Sequence, residues 1–446
     1  MQRNSPAEFV FLNVGHFLDH FFMLIFATAA ALSLTTEWNL SYAELIPYAT
    51  PGFIAFGVCA LPAGWIADKW SRRGMIAIFF IGIGASSMLA SQADSPMHIA
   101  VGLTLIGVFA AIYHPVGLAM IVQGRINTGM PLAVNGVFGN MGVASAALLT
   151  GVLIDQLGWR SAFLYPGLLS VLIGMALIYY IVVVDGHSGP APINATEDRN
   201  PGHENSSNTR GATSSAPSSD ILLASDGSGK GAIGDASPSD SVSIDQHTPA
   251  ITRQVLVRTF AVIFFTTAIG GLVFQSTTFA LPKVLTERLG DMNLSASLIG
   301  WYAFMVFSTA SFAQLLVGYL VDRYPIRAVF SIVAATQATF LALMIQLDGV
   351  AALIVSVCFM LAVFGQIPIN DVLVGRMTSS EWRSRVYALR FLVTFSVMAT
   401  AVPLIAWIHH NWGFSMLFSL LSAAATLIYI ATFYLPKEKQ IATRYV

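Results

Sequence analysis

The feature that most constrains the fold is a short loop that occurs twice in the chain. Residues 64–73 read GWIADKWSRR, and residues 318–327 read GYLVDRYPIR. Each copy places a glycine, an aspartate four residues later and then basic residues between two long apolar stretches. Pro115 and Pro368 keep the same offset from the two glycines to within one residue. The chain is therefore built from two copies of one structural unit.

Composition places both copies in a membrane. Hydrophobic residues make up 55% of the chain and charged residues 10%, with a mean hydropathy of +0.70, whereas globular proteins have about 25% charged residues. Apolar runs of roughly 20 residues, long enough to cross the hydrocarbon core, occur on both sides of a polar gap. Lipid offers backbone groups no hydrogen-bond partners, so these runs must be helices. The sequence predicts an all-α membrane protein with twelve transmembrane helices in two pseudo-symmetric six-helix bundles, 1–184 and 256–446.

The polar gap between the bundles predicts a linker. Residues 185–255 are rich in Ser, Gly, Asp, Asn and Pro and contain few large apolar side chains. Such a segment cannot bury a core of its own. We expect a flexible cytoplasmic connection between the two bundles.

The placement of basic residues predicts the orientation in the membrane. Of the 22 lysines and arginines, only Arg160, Lys283 and Arg288 lie in segments that would be outside if the N-terminus is inside. Basic loop residues are retained on the cytoplasmic side. We expect a multi-pass protein of the bacterial inner membrane with both termini cytoplasmic. Its net charge of −1 gives no reason to expect a nucleic-acid partner.

Polar side chains on helix one form the strongest candidate site. Asn13, His16, Asp19 and His20 lie within one arc of the helix, while bulky apolar residues occupy the rest. Ionisable groups inside a span usually mark a transport pathway, and histidine titrates near neutral pH. We expect Asp19, with His16 or His20, to carry a coupling proton. A static His–Asp bond is the alternative. A metal held by the histidines and Asp19 is chemically possible, but we expect no metal and no cofactor.

Other polar residues in the spans are candidates for the walls of a cavity. His114, which we group with His16, Asp19 and His20 as a proton-coupling or cavity residue, precedes Pro115, which favours a kink in helix four. The corresponding region of helix ten contains three polar side chains. Weaker candidates are amides in helices five and seven, because amides also form ordinary interhelical bonds. These substrate-cavity candidates, with Asn13 of helix one, are Asn135, Asn140, Gln275, Gln366, Asn370 and Asp371.

The repeated loop resembles a signature of the major facilitator superfamily, and so does the Gly158-Trp159-Arg160 turn. Within that superfamily, His16-x-x-Asp19-His20 and Tyr113-His114-Pro115 are similar to the fosmidomycin-resistance-type exporters. The helix-ten sequence departs from that branch, so a drug substrate is not carried over. The resemblance implies a secondary transporter whose repeated loops gate the cytoplasmic side.

The loop also has a physical interpretation. Its glycines allow a neighbouring helix to approach closely, and its aspartates can accept hydrogen bonds from the N-terminal amides of a partner helix. Such a contact would act as a latch, and the resemblance implies that the latch stabilises the state closed to the cytoplasm. The basic residues would orient the acids, contact anionic lipid or only fix the topology. The predicted gating residues are Gly64, Asp68, Arg72, Arg73, Gly318, Asp322 and Arg327.

The functional prediction is a proton-coupled carrier that exports a small organic molecule by alternating access. Two similar halves can rock about a central site and expose it to each side in turn. Uptake by proton symport and a membrane sensor with a transporter-like fold remain alternatives. No catalytic motif suggests an enzyme. Central arginines and lysines are missing from the spans, and we expect Arg390, near the end of helix eleven, to extend towards the membrane surface. We therefore expect neutral, cationic or amphipathic substrates. The expected partners are this substrate, protons and membrane lipid, with the protein acting as a monomer.

The predicted topology can be tested with protease. Added protease should cleave the 185–255 segment in inside-out vesicles and leave it intact in sealed spheroplasts, because the basic asymmetry places it in the cytoplasm. The measurement is immunoblotting with tags on each terminus. Cleavage in intact spheroplasts would contradict the predicted orientation.

Overall fold

Helices make up nearly all of the described chain in the computed structural model. The structure describes residues 5–124, 129–185, 253–292, 294–377 and 380–436, and no strand occurs within these ranges. The predicted linker 185–255 lies outside the described residues except at its ends. Asp185 ends a π-helix and the next helix begins at Arg253, slightly before the expected start of the second bundle.

The first half begins with well-capped helices. Ser5 and Ser41 each form a capping box with a glutamate three residues later, Glu8 and Glu44, which satisfies backbone amides that have no partner within the helix. The helices of the first half are α1 Pro6–Ala29 continued by the π-helix Ala30–Leu34, α2 Thr35–Glu37, α3 Tyr42–Leu45 continued by the 3₁₀-helix Ile46–Ala49, α4 Thr50–Lys69, α5 Arg72–Ala90, α6 Pro96–Ala110, α7 Tyr113–Val122, α8 Gly129–Leu157 and α9 Trp159–Tyr179 continued by the π-helix Tyr180–Asp185.

The second half repeats this order with fewer breaks. Its helices are α10 Arg253–Arg288, followed by the 3₁₀-helix Gly290–Met292, α11 Ala296–Arg323, α12 Ile326–Leu343, α13 Gly349–Met377 and α14 Ser380–Thr432.

Within the described residues, eleven helical segments are long and apolar enough to cross a membrane, and the last of them contains two spans. It runs from Leu392 to Thr432, 41 residues. A straight helix of that length would extend about 60 Å, twice the hydrocarbon thickness. Gly413 interrupts it with a φ of 71°, a conformation that glycine adopts readily. The prediction of an all-α fold with twelve spans is therefore confirmed.

The direction of the helices defines two ends of the bundle. The repeated loops lie between α4 and α5 and between α11 and α12. Because an even number of spans separates them, both lie at the same end, which we call the repeat-loop end. The end where α8 stops and α11 begins is the opposite end.

Helix one is more enclosed than the other spans of the first half. In its most apolar window 72% of the residues are buried, compared with 22% for the span Trp159–Val183. Its bulky side chains, including Phe21 and Phe22, therefore pack inside the protein. The backbone of α8 approaches helix one closely at Gly142, where an added Cβ would lie 2.1 Å from the Phe17 carbonyl oxygen. Close approach of this kind requires small residues.

We expect Gly142→Ala to destabilise the protein, because the added methyl group would collide with the backbone of helix one. The melting temperature of the purified protein in detergent should fall by several degrees. Gly136→Ala on the same helix is the matched control, since its nearest neighbour would be Gln314 Oε1 at 3.8 Å. The control should be neutral or stabilising by up to about 1 kcal/mol, because alanine favours helix. A Gly142→Ala variant at least as stable as the wild type would contradict the proposed close packing.

Candidate functional site

A break between α6 and α7 positions the side chains of the site. Pro115 has no N–H to donate to the carbonyl of Ala111, four residues earlier. Accordingly α6 ends at Ala110 and α7 begins at Tyr113, which confirms the kink expected there. The break leaves Tyr113 and His114 at the start of α7, where they contact helix one.

Asp19 lies within ion-pair distance of His114. The Asp19 side chain is 0% exposed, and its Oδ2 lies 3.3 Å from His114 Nε2. The coupling role of Asp19 with His16 or His20 stays a prediction, but the ion-pair distance to Asp19 belongs to His114. Those two histidines bond to each other instead, Nε2 to Nε2 at 3.1 Å, because residues four apart on a helix lie one above the other. Histidine from a second helix therefore completes the His–Asp pair.

The three histidines form one cluster. Ring centroids lie 4.9 Å apart for His16 and His20, 5.3 Å for His16 and His114, and 5.5 Å for His20 and His114. Their ring nitrogens lie within 4.8 Å of one another, so the cluster could also hold a metal ion. Such a cluster can pass a proton between rings, since each imidazole has one donor and one acceptor nitrogen when neutral.

A buried hydrogen-bond network holds His16 in place. His16 Nδ1 lies 2.7 Å from the Asn135 carbonyl oxygen. The Tyr113 hydroxyl donates to the Leu12 carbonyl at 2.7 Å, and Asn135 Nδ2 donates to the Tyr113 hydroxyl at 2.8 Å and to Asn13 Oδ1 at 3.2 Å. The structure thus brings Asn13 and Asn135 together with the predicted site. Tyr113 was missed as a site residue, although its position next to His114 could have indicated it.

Aromatic side chains from both halves meet at His114. Phe56 of α4 and Phe395 of α14 lie 5.8 Å and 5.9 Å from its ring, and 4.8 Å from each other. The His–Asp pair therefore lies where the two halves contact each other.

A second polar cluster lies in the second half. Thr266 donates to Asn370 Oδ1 at 3.2 Å, and Gln366 Nε2 donates to the Thr266 carbonyl at 3.4 Å. Next to it, Arg390 forms an ion pair with Asp371. The expectation that Arg390 would extend towards the membrane surface is wrong, because its side chain is 11% exposed and bonds to this acid. Thr266 was missed by sequence reasoning, and so was the pairing of Arg390 with Asp371, since only the fold shows these neighbours.

The remaining amide candidates are buried in separate helices. Asn140 of α8 and Gln275 of α10 are both almost fully enclosed. The amide nitrogen of each has no hydrogen-bond partner within the described part of the chain.

Comparison with known proteins identifies the family. The profile of the Major Facilitator Superfamily matches residues 12–290 and 263–444. The chain belongs to the major facilitator superfamily. Membership of this superfamily agrees with the expectation that the chain is not an enzyme.

The similar proteins include a transporter and a resistance protein. The chain is 27% identical over 154 residues to a gallate transporter of Pseudomonas putida, covering 34% of each protein. It is 34% identical over 110 residues to a puromycin resistance protein of Streptomyces alboniger, covering 24% of this chain and 22% of the relative. The chain thus spans about a third or less of the length of these relatives. These comparisons support the superfamily but not specifically the fosmidomycin-resistance-type exporters.

Solved structures of the superfamily share the fold. A bacterial homologue of the human lysosomal transporter Spinster, in an inward-facing and unoccupied conformation, matches with a TM-score of 0.64 and 13% identity, over 99% of this chain and 96% of that one. A D-xylose–proton symporter matches with a TM-score of 0.65 and 12% identity, over 97% and 98%. These likenesses show the fold alone.

The acids of the superfamily loop pair within their own halves. Asp68 Oδ1 accepts from Arg72 at 2.7 Å, and Asp322 Oδ1 lies 3.6 Å from Arg376. Their side chains are 63% and 75% exposed. Neither acid bonds to the N-terminal amides of a partner helix among the described residues, so the latch stays a prediction.

The other loop residues differ between the two copies. Gly64 packs against Pro115, whereas a Cβ at Gly318 would meet nothing within 4 Å among the described residues. Arg73 Nε lies 2.5 Å from the buried carboxylate of Glu8, and Arg327 lies over the ring of Phe433 at 5.5 Å. Only the first copy therefore shows the close approach that its glycine predicts.

We expect Tyr113→Phe to destabilise the protein by about 1–3 kcal/mol, because it leaves the buried amide of Asn135 and the Leu12 carbonyl short of a partner. Thermal unfolding of the purified carrier measures this loss. Tyr179→Phe is the control, since Tyr179 is exposed on α9. Equal stability of the two variants would contradict the proposed role of the Tyr113 hydroxyl.

Proposed function

We propose that this protein is a proton-coupled carrier that exports a small organic molecule by alternating access. The observation that carries the proposal is the fully buried Asp19 carboxylate, 3.3 Å from His114 at the contact between the halves. Ionisable residues in the membrane interior usually take part in transport. Export is supported by the resemblance of the helix-one and helix-four motifs to exporters and by the likeness to a puromycin resistance protein.

The geometry supports coupling between the proton and the two halves. A proton on Asp19 removes a charge whose burial in the membrane is costly, and it changes the attraction between Asp19 and His114. Phe395 of the second half packs against the His114 ring. The protonation state can therefore favour one arrangement of the halves over the other, which is the requirement for coupling.

Aromatic acids are the first substrate class to test. The gallate transporter and the 4-hydroxybenzoate transporter of Pseudomonas putida are relatives of this chain. Arg390 offers a guanidinium group for a carboxylate, provided that the substrate displaces Asp371. Phe56 and Phe395 offer ring faces for an aromatic substrate. Neutral, cationic and amphipathic molecules remain in the proposed range, because Asp371 compensates the charge of Arg390 in this conformation.

The repeat-loop end is proposed to face the cytoplasm of a bacterial inner membrane, because the basic residues concentrate there. Asp68 and Asp322 would then latch the halves in the other main conformation, in which this end is closed. In the conformation described, both acids are exposed and available for such contacts. Protons and membrane lipid are the proposed partners, and the monomer is the proposed functional unit.

We expect Asp19→Asn to abolish proton-driven accumulation of substrate, because asparagine keeps the shape but cannot bind and release the proton. Exchange of labelled for unlabelled substrate at equal pH should remain measurable. The test uses the purified carrier in liposomes with an imposed pH difference, with gallate, 4-hydroxybenzoate and puromycin as the first substrates. The direction of net movement decides between export and uptake.

Matched variants control for unspecific damage. Asp94→Asn changes an exposed acid of the same half, and His98→Gln changes an exposed histidine. Both should retain coupled transport, whereas His114→Gln should lose it together with Asp19→Asn. If Asp19→Asn concentrates substrate at the wild-type rate, the His–Asp pair is a structural bond and the coupling proposal is wrong.

A further inference from the structure

The two halves are joined at the opposite end by a hydrogen bond from Asp155. Its Oδ2 accepts from the Ser297 backbone N–H at 2.7 Å. Ser297 lies in the first turn of α11, where backbone amides have no partner within the helix and the helix dipole attracts negative charge. Ser295 caps the Leu298 amide at the same helix end, at 3.2 Å. The carboxylate of one half thus binds the start of a helix in the other.

The corresponding helix of the first half shows why the start of α11 can accept a carboxylate from another helix. Ser41 occupies the repeat position that matches Ser295, and Glu44 closes a capping box there, with a 2.9 Å bond to the Ser41 amide. In α11 the position of that glutamate is Leu298, and the first turn contains no acidic residue. The repeat has therefore lost its own carboxylate at this position, and Asp155 brings one from the other half.

Small residues let the helices approach closely enough for this bond. An added Cβ at Gly151 would lie 2.4 Å from the Ala296 carbonyl oxygen, and one at Gly300 would lie 2.6 Å from the Ala147 carbonyl oxygen. Gly151 precedes Asp155 by one helical turn, so the close contact and the hydrogen bond lie on the same side of α8.

Other side chains close the same end. The Tyr42 ring lies 5.5 Å from His409 and 6.3 Å from Phe414, both in the second half. At the repeat-loop end, by contrast, Asp68 and Asp322 pair within their own halves. Among the described residues at the opposite end, Asp155 is an acid whose hydrogen bond crosses between the halves.

We propose that Asp155 is a latch that supplies the missing N-terminal carboxylate of α11 from the other half, holds the opposite end closed, and must release Ser297 when the carrier opens there. This inference rests on the alternating-access function proposed above. Its hydrogen bond is exposed to solvent, so water can replace it on release at modest cost. The latch would alternate with the predicted contacts of Asp68 and Asp322 at the other end.

Distances between spin labels test the latch without any substrate. Labels at Leu157→Cys and Met292→Cys, two exposed positions, report on the opposite end. The native Cys59 and Cys358 are first replaced by serine. In lipid nanodiscs, Asp155→Ala should raise the ratio of separated to closed populations roughly tenfold, as expected for loss of a charged hydrogen bond at a helix start. Asp94→Ala, an exposed acid at the same end, should leave the distances unchanged.

A second label pair reports on the repeat-loop end. Trp70→Cys and Tyr324→Cys, at matching positions of the two loops, are both exposed. When Asp155→Ala separates the opposite end, this pair should shift towards shorter distances, because alternating access closes one end as the other opens. Separation at the opposite end without a change at this pair would indicate local loosening of α11 and would overturn the latch.

A third variant separates a latch from an ordinary helix cap. Leu298→Glu gives α11 its own capping box, as Glu44 does for α3. When Leu298→Glu is added to Asp155→Ala, it should restore the thermal stability of the protein. It should not restore the short distance between the labels at positions 157 and 292. Restored distances would show that Asp155 only stabilises α11, and unchanged distances in Asp155→Ala alone would equally overturn the proposal. Since no substrate or pH gradient is used, these results are independent of whether Asp19 couples to protons.

Discussion

Asp19 is enclosed by helices in the middle of the membrane-spanning region, where insertion scales assign a charged side chain a cost of about 3 kcal/mol. Much of the first half is arranged so that this group has a partner. Pro115 breaks the fourth span, and this break places His114 next to Asp19. Tyr113 and Asn135 hold the neighbouring His16 in position. Glycines let α8 pack closely against helix one. Partners for the carboxylate and for the surrounding amides are thus obtained from three different helices, which ties these helices together.

The two halves have the same order of helices but different polar side chains in their interiors. Where the first half has histidines and a carboxylate, the second has Thr266, Gln366 and Asn370, together with the ion pair of Asp371 and Arg390. Gly270 stands at the repeat position of His16 and leaves room for Gln366, whose Nε2 would lie 2.4 Å from an added Cβ. The first half thus offers histidines and a carboxylate, and the second offers neutral hydrogen-bonding groups with a compensated ion pair.

Local patterns in the sequence were sufficient for the features that depend on neighbours along the chain. The repeated loop, the apolar runs and the polar face of helix one led to the correct family, the twelve spans and several of the buried polar residues. Features that depend on the packing of distant helices were wrong or missed. His114 lies at ion-pair distance from Asp19, Arg390 bonded to Asp371, and Asp155 was not noticed, because a lone acid near a helix end gives no sign of the helix start that it meets.

Helix α8 carries both the site and the contact at the opposite end. Asn135 contacts His16, Gly142 packs on helix one, and Asp155 lies 13 residues further along, about 20 Å away in an α-helix. In mechanical terms α8 is a lever with its fulcrum at Gly142. A tilt of about 5° there displaces Asp155 by roughly 1.7 Å, enough to stretch a 2.7 Å hydrogen bond beyond its useful range. The same tilt moves Asn135, seven residues before Gly142, by about 0.9 Å, so the hydrogen bond to His16 and the hydrogen bond to Ser297 would change together.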